Sequence, residues 1–501
     1  MTLAVVHTRI AFGIENQPIN VEVNLTNGLP AFNIVGLPEK AVQESRERVR
    51  GALSNCQFEF PARRITVNLA PADIPKEGGG FDLPIAIGIL VASGQLQPEK
   101  ITQLDFIGEL ALSGEIRPIK GILPIAIGSA KNHRQLLLPL ENAKEAALIN
   151  SLDLIPATHL LAVTAHLNGS QKITYSPPPL ESTTQQIAEL ADIRGQDHAK
   201  RALLIAAAGK HSLLMSGPPG SGKSMLASRL PDLLPPLSEQ QALETAAIHS
   251  ISNHAFTPDR WKLPPFRQPH HSASAAALAG GGSIPKPGEI SLAHHGVLFL
   301  DELTEFDRRT LDFLREPLES GSISISRVAG KIRYPARFQL IAAMNPCPCG
   351  YLGDSKRACG TCTPEQINRY RGKISGPIMD RIDLHIEVPA LNASELTAQS
   401  SSSMTTAVAR DQVNLAWQHQ FDRQGKTNNE LSLRELEKYA KPCREGLDLL
   451  KQSIDKLGLS ARAYHRVLRI ARTIADLEAN EIISAHQVAE AIGYRKPDRT
   501  F

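Results

Sequence analysis

The residues whose types and spacing carry the most chemistry are Gly217-Pro218-Pro219-Gly220-Ser221-Gly222-Lys223-Ser224. Glycines at these intervals let backbone N–H groups turn inward around a chain of phosphates. A helix start directly behind them adds its positive dipole end. Lys223 can then reach the β- and γ-phosphates, and the Ser224 hydroxyl can hold Mg²⁺. A second pair of groups ends the apolar run Val297-Leu298-Phe299-Leu300-Asp301-Glu302. Asp301 suits the Mg²⁺ shell, and Glu302 suits a base that polarises an attacking water. Asn345 ends another apolar run, 338–344, where its amide could position that water. The expected substrate is ATP and the expected cofactor Mg²⁺.

Loops of this kind need strands to hold them. The run 211–215 reads as the strand before the phosphate loop and 225–230 as the helix after it. Apolar strands and helices alternate through the central block, the pattern of a doubly wound parallel sheet. Two stretches read as linkers: 168–190, with Ser176-Pro177-Pro178-Pro179, and 392–407, with Ser400-Ser401-Ser402-Ser403. They divide the chain into 1–168, 190–392 and 408–501. The first block mixes strand-like runs (65–69, 106–112, 136–138) with helix-like segments (39–53, 83–91), so it is expected to be α/β. The third is helical by period, with Ser, Thr and Asn starts and Gly stops.

The net charge of the 501 residues is only +3, so a nucleic-acid surface must come from local clustering. No apolar run reaches the roughly 18 residues of a membrane span. Met1 leads into no signal-peptide pattern, and the expected location is the cytoplasm, away from membranes. Four of the six cysteines, Cys347, Cys349, Cys359 and Cys362, cluster in one short segment. Their C-x-C and C-x₂-C spacings could close a tetrahedral structural zinc site, with a regulatory disulfide as the other reading.

With the helical block behind them, these motifs resemble the AAA+ ATPases. The segments Phe266-Arg267-Gln268-Pro269-His270-His271, 296–302, Met344-Asn345-Pro346-Cys347-Pro348-Cys349-Gly350 and Asp380-Arg381-Ile382-Asp383-Leu384 are similar to the magnesium-chelatase-like branch, in particular the YifB/ComM competence family. The resemblance implies an arginine finger at Arg381, acting on a neighbouring subunit's ATP. It implies a sensor-2 arginine at Arg462 on a C-terminal helical lid, with Arg466 one turn on as the alternative. It also implies a homo-oligomeric ring, a hexamer by analogy. Pro75-Lys76-Glu77-Gly78-Gly79-Gly80-Phe81-Asp82-Leu83 and Gly114-Glu115-Ile116-Arg117-Pro118-Ile119-Lys120-Gly121 resemble the Lon-protease-type fold. No serine stands near Gly80 and Lys120 is offset from the partner position, so that block is expected to be proteolytically inactive.

The substrate is harder to read. The segment 322–334 alternates polar and apolar residues around Ala329-Gly330, a hairpin signal. Ring helicases of the related branch carry a pore hairpin there, so Arg327, Lys331 and Arg333 could track DNA phosphates, a solvated rim being the competing reading. The loop Ala276-Ala277-Leu278-Ala279-Gly280-Gly281-Gly282-Ser283 has no aromatic residue, which disfavours polypeptide threading. The resemblance implies a DNA translocase or helicase that promotes branch migration on single-stranded or branched DNA, in natural transformation and homologous recombination. A chelatase-type or chaperone-like protein-remodelling ATPase is the alternative. The D-x-S-x-S metal motif of the chelatase partner is absent.

Overall fold

The computed structural model describes all residues other than 1–2, 98, 100, 180–187, 253–257, 283–284, 328–329, 355–356, 358, 392–403 and 496–501. The central sheet forms from five short strands rich in Leu, Ile, Val, Phe and Ala, as expected of parallel strands buried on both faces. Its order is Phe266–Arg267, Val297–Leu300, Gln339–Met344, Leu213–Ser216, Leu384–Glu387, all parallel. The register pairs Ser216 with both Met344 and Glu387, and Leu300 with Ala342. The carboxyl ends of the three middle strands therefore lie side by side. That edge of an open α/β sheet is where ligands bind.

The N-terminal sheet has seven strands in the order Ala31–Val35, Arg64–Ala70, Glu15–Thr26, Leu3–Phe12, Leu104–Phe106, Gln135–Pro139, Leu154–Ala157. Helix Asp82–Ala92 is buried on every side, which suits a segment without a polar face. The expected run 106–112 is broken. Strand Leu104–Phe106 ends, and Glu109–Leu110 pairs instead with Ile116–Arg117. Gly108 permits the break, because a Cβ there would stand 2.7 Å from the Ile116 side chain.

This first block docks on the central one. Leu123 and Leu148 pack with Ala246 and Ala247 of helix Glu239–Ile251. The backbone N–H of Gly121 donates to Ser250 O at 3.0 Å. Phe12 and Ile14 pack into the cluster that contains Ile332 and Tyr334 of the hairpin formed by Ser322–Arg327 and Gly330–Pro335. Gly13 sits between them at φ +61°, and a Cβ would fall 2.7 Å from Ile332 Cγ2. Only glycine fits that turn.

The C-terminal helices Thr406–Gln424, Leu433–Tyr439, Arg444–Leu457, Ala461–Leu477 and Ala485–Gly493 share one apolar core with the near face of the central sheet. Thr405, Ser432, Ser460 and Ser484 cap four of them, and Gly425 and Gly458 end two in the left-handed conformation. Among the described residues no helix is long and apolar enough to cross a membrane.

A fully buried carboxylate fastens lid to sheet. Asp383 accepts from the Ser212 N–H at 3.1 Å and from Arg466 Nη1 at 2.7 Å, with His211 Nδ1 at 3.6 Å. Ser212 Oγ in turn lies 3.0 Å from the Arg381 carbonyl. Burial alone would raise the Asp383 pKa, but His211, Arg466 and the Ser212 N–H together hold it well below the carboxylate range. A depressed carboxyl adds stability above its unfolded pKa of about 4, and that stability is lost as pH falls below it. Asp383→Asn keeps the shape and removes the charge. It is expected to lower the unfolding free energy by about 3 kcal/mol at neutral pH. The loss should shrink as pH falls below about 4. Urea unfolding of both proteins across pH checks both statements.

Candidate nucleotide site

The phosphate loop leaves strand Leu213–Ser216 and enters helix Lys223–Leu233. Gly217 is pressed against the neighbouring strand, where a Cβ would lie 2.1 Å from Val388 O. Gly220 and Gly222 have φ of +77° and +93°, which turn the loop back on itself. Lys223 is 8% exposed. Its ammonium donates to Gly217 O at 2.7 Å and Pro218 O at 2.9 Å, with Asn345 Oδ1 at 3.5 Å. Burial lowers its pKa, while Asp301 and Glu302 pull the other way. A cation resting on two carbonyls is poised to exchange them for phosphate oxygens, which carry full charge.

Ser224 Oγ donates to Asp301 Oδ2 at 2.6 Å. The two groups read as Mg²⁺ ligands are therefore neighbours. One hydroxyl and one carboxylate fit a cation that keeps several waters and takes phosphate oxygens for the rest. The Asp301 carboxylate also accepts the Glu302 N–H at 3.0 Å. Glu302 is exposed and has φ +52°, in the left-handed region. Its Oε2 lies 3.1 Å from His271 Nδ1.

Asn345 follows strand Gln339–Met344, and the cysteine segment follows Asn345. Cys347 is buried and its Sγ lies 3.3 Å from Cys349 Sγ and 3.7 Å from Cys359 Sγ. Cys349 and Cys359 are 3.4 Å apart, and all four sulfurs, Cys362 included, lie within 4.8 Å of one another. Tetrahedral thiolates at about 2.3 Å from zinc stand about 3.8 Å apart, so the spread fits. The Tyr351 N–H, with Cys347, lowers the Cys349 pKa to about 6. Gly350 joins this loop to the phosphate loop, since a Cβ there would meet Pro219 Cδ at 2.7 Å.

The arginines gather elsewhere. Arg381, Arg462, Arg466 and Arg469 line one cavity of about 210 Å³ with His465, Glu319, Leu318 and Leu433. No phosphate-loop residue lines it. Arg381 donates to Pro377 O at 2.6 Å and pairs with Glu319. Its pKa is lowered by burial and then by Arg462, Arg466 and Arg315. Arg466 is committed to Asp383 and Arg469 to Leu431 O at 2.6 Å. Arg462 is exposed and makes no ion pair among the described residues. Arg472 does not join this row: it is buried and bonded to Asp476 at 3.0 Å.

The hairpin pairs Ser324 with Arg333 and Ser326 with Lys331. Ile323, Ile325, Ile332 and Tyr334 fill its buried face, and Lys331 and Arg333 lie on the exposed one. Arg333 Nε donates to Ser322 Oγ at 2.8 Å. Val328 and Ala329 and the Arg327 side chain lie outside the described residues.

One edge of the sheet thus brings together 217–224, Asp301, Glu302 and Asn345. Arg381 and Arg462 are neighbours of each other in a separate cavity. Nothing in the residue types or spacing around His271 and Asp383 points to the contacts they make here. His271 lies four residues past the edge strand Phe266–Arg267, whose neighbour Val297–Leu300 leads to Glu302, so only the strand order brings the two together.

Three family models cover most of the chain. They are magnesium chelatase subunit ChlI at 189–396, subunit ChlI of Mg-chelatase at 21–142, and magnesium chelatase subunit ChlI C-terminal at 403–495. Competence protein ComM of Haemophilus influenzae is 50% identical, covering 99% of this chain and 98% of its own. YifB of Salmonella typhimurium is 49% identical, covering 100% and 98%. A magnesium-chelatase 67 kDa subunit of Heliobacterium mobile is 28% identical over 39% of this chain and 30% of its own. Family models from 21 to 495 and half identity along almost the whole length agree with the phosphate loop and its carboxylates: the chain belongs to the ComM/YifB family of magnesium-chelatase-like AAA+ ATPases.

Proposed function

We propose that this ATPase is a cytoplasmic ring motor that moves along single-stranded or branched DNA and promotes branch migration during natural transformation and recombination. The observation that carries this is the hairpin 322–335. Its apolar face is packed, its other face presents Lys331 and Arg333, and its second strand runs on into the strand that ends at Asn345. A contact to backbone phosphates at the hairpin is thus one short segment away from the nucleotide. A close relative bears the name of a competence protein.

In this reading Lys223 holds the β- and γ-phosphates, and Ser224 with Asp301 holds Mg²⁺. When bound there, Mg²⁺ would supply positive charge against the phosphates. Glu302 polarises the attacking water and Asn345 orients it. Arg381 and Arg462 reach a neighbouring protomer's γ-phosphate. The cavity supports that role, because its clustered cations lie away from their own phosphate loop. An incoming phosphate would relieve their repulsion, with Glu319 holding Arg381 until then. Arg462 is the sensor, since Arg466 is already spent on Asp383. The ring is proposed as a hexamer. Cys347, Cys349, Cys359 and Cys362 hold a structural zinc, with no open position for chemistry.

Lys223→Ala should lose ATP binding, DNA-stimulated hydrolysis and branch migration together. ATPase rates with single-stranded, duplex and branched DNA, and with unfolded protein, test the substrate. Stimulation by unfolded protein alone would replace this reading with protein remodelling. Arg381→Ala should lower kcat by about a thousandfold while leaving ATP affinity within a few fold. Mixing Arg381→Ala with Lys223→Ala protomers should recover activity at the composite sites; no recovery would place Arg381 in cis. Metal analysis should find one zinc per chain, lost in Cys349→Ser/Cys359→Ser, and a metal-free wild type would remove the zinc assignment.

A further inference from the structure

A sheet edge carries a row of unpaired backbone donors and acceptors, and folded chains guard such rows. The N-terminal sheet has two edges, and they differ. Strand Leu154–Ala157 forms one of them. It is four residues long, Pro156 removes a donor from it, and directly beyond it His159 bridges to Glu115. Strand Ala31–Val35 forms the other. It contains no charged residue and no proline. It is held firmly from behind, because its five residues pair in register with 64–68. Phe32 and Ile34 pack on the core, and the Phe32 ring lies 5.9 Å from that of Phe60. Among the described residues no further strand lies on its outer side.

A groove of about 390 Å³ wraps this open edge. Asn33, Ile34 and Val35 of the strand line it, with Gln43 and Arg46 of helix Lys40–Asn55 on one side and Arg64 and Thr66 on the other. The two sides belong to opposite faces of the sheet. Val42 and Val49 of the helix share a core cluster with Ile65 and Val67, and Arg64 and Thr66 alternate with those two. No carboxylate lines the groove. Arg46 donates to Gln43 O at 3.1 Å, and neither Arg46 nor Arg64 has an ion pair among the described residues. Val35 is 45% exposed, and Leu29 and Leu37, just outside the strand, are 89% and 59% exposed.

We propose that this groove docks an acidic, extended peptide segment of a partner protein, which joins the sheet beside Ala31–Val35 as an added strand. Consecutive side chains of such a strand point to opposite faces, so two adjacent carboxylates meet Arg46 and Arg64 in turn. Guanidinium–carboxylate bonds supply the preference for acid, and the open backbone edge supplies pairing that does not depend on sequence. The edge strand is already in place, so its ordering costs nothing on binding. A nucleic-acid backbone could satisfy the two arginines. It has no row of alternating donors and acceptors for the open edge, and it gains nothing from Val35, Leu29 and Leu37. The docking site is independent of the DNA reading of the motor.

The test uses the full chain and a fluorescein-labelled hexapeptide, Asp-Asp-Ile-Val-Asp-Asp, followed by fluorescence anisotropy. The peptide with Lys in place of Asp should bind at least about tenfold more weakly. Arg46→Ala/Arg64→Ala should weaken the acidic peptide by about tenfold or more, with peptide-free ATP hydrolysis unchanged. N-methylation of the Ile and Val amides blocks whichever of them faces the edge and leaves the charge intact. It should weaken binding to the wild type by about tenfold. Amide exchange at 31–35 should slow when the peptide is bound. Binding that survives the double variant, binding that ignores N-methylation, or no binding of the acidic peptide overturns the proposal. A short oligothymidylate that displaces the peptide and needs the same two arginines also overturns it, and makes the groove a phosphate site. If the double variant melts at a lower temperature than wild type, the N-methylated peptide on the wild type decides in its place.

Discussion

A carboxylate buried as completely as Asp383 is stable only if several donors face it. Three separate segments meet at it: Ser212 and His211 before the phosphate-loop strand, Arg466 on the lid helix, and the segment of Asp383 itself. That last segment also carries Arg381. Loss of any donor would leave charge in a dry place, so the three must keep their relative positions. The consequence is mechanical. The lid helix, the start of the phosphate-loop strand and the segment of Arg381 are held together at one buried group.

A second network, of two buried imidazoles and a partly exposed carboxylate, ties the N-terminal block into the same edge. Glu244, on the helix where that block docks, meets His295 Nε2 at 2.8 Å and His294 Nε2 at 3.4 Å. The three could be taken for metal ligands. They are not suited to it, because His294 Nδ1 accepts the Arg337 N–H at 2.9 Å, which leaves its proton on Nε2. Burial keeps both imidazoles neutral, with His295 pushed to about 4, while their N–H groups draw Glu244 down to about 2. The network is a clamp. It joins helix Glu239–Ile251 to the start of the strand that ends in Asp301 and Glu302.

What could be read from the chain was local. The phosphate loop, the apolar strands with polar tips, the hairpin and the four cysteines each declare themselves within about twenty residues. Helix ends were legible because Ser, Thr and Gly caps act on their own backbone. The pairing of His271 with Glu302 was not legible, since it depends on which strands are neighbours in the sheet. Arg462 and Arg466 have the same type and nearly the same face. Only the position of Asp383 separates a committed arginine from an available one. Arg472, three residues beyond Arg469 on the same helix, is carried by the helix rotation into the core. The docking of the first block was also hidden, because Leu123, Ala246 and Gly13 look like ordinary core and turn residues.

The two residues that would handle water are held in opposite ways. Asn345 stands between a fully buried strand and a loop pressed on Pro219 through Gly350. Arg371 adds bonds of 3.1 and 2.9 Å to Pro346 O, and a filled four-thiolate site would remove the remaining freedom of that loop. Among the described residues Glu302 has no such frame: its side chain is exposed and its one ion-pair partner is a partly exposed imidazole. A rigid partner sets geometry, whereas a lone contact can be broken at the cost of one hydrogen bond. The surroundings of Asn345 therefore fix its setting, whereas the exposed Glu302 side chain can turn without disturbing the core.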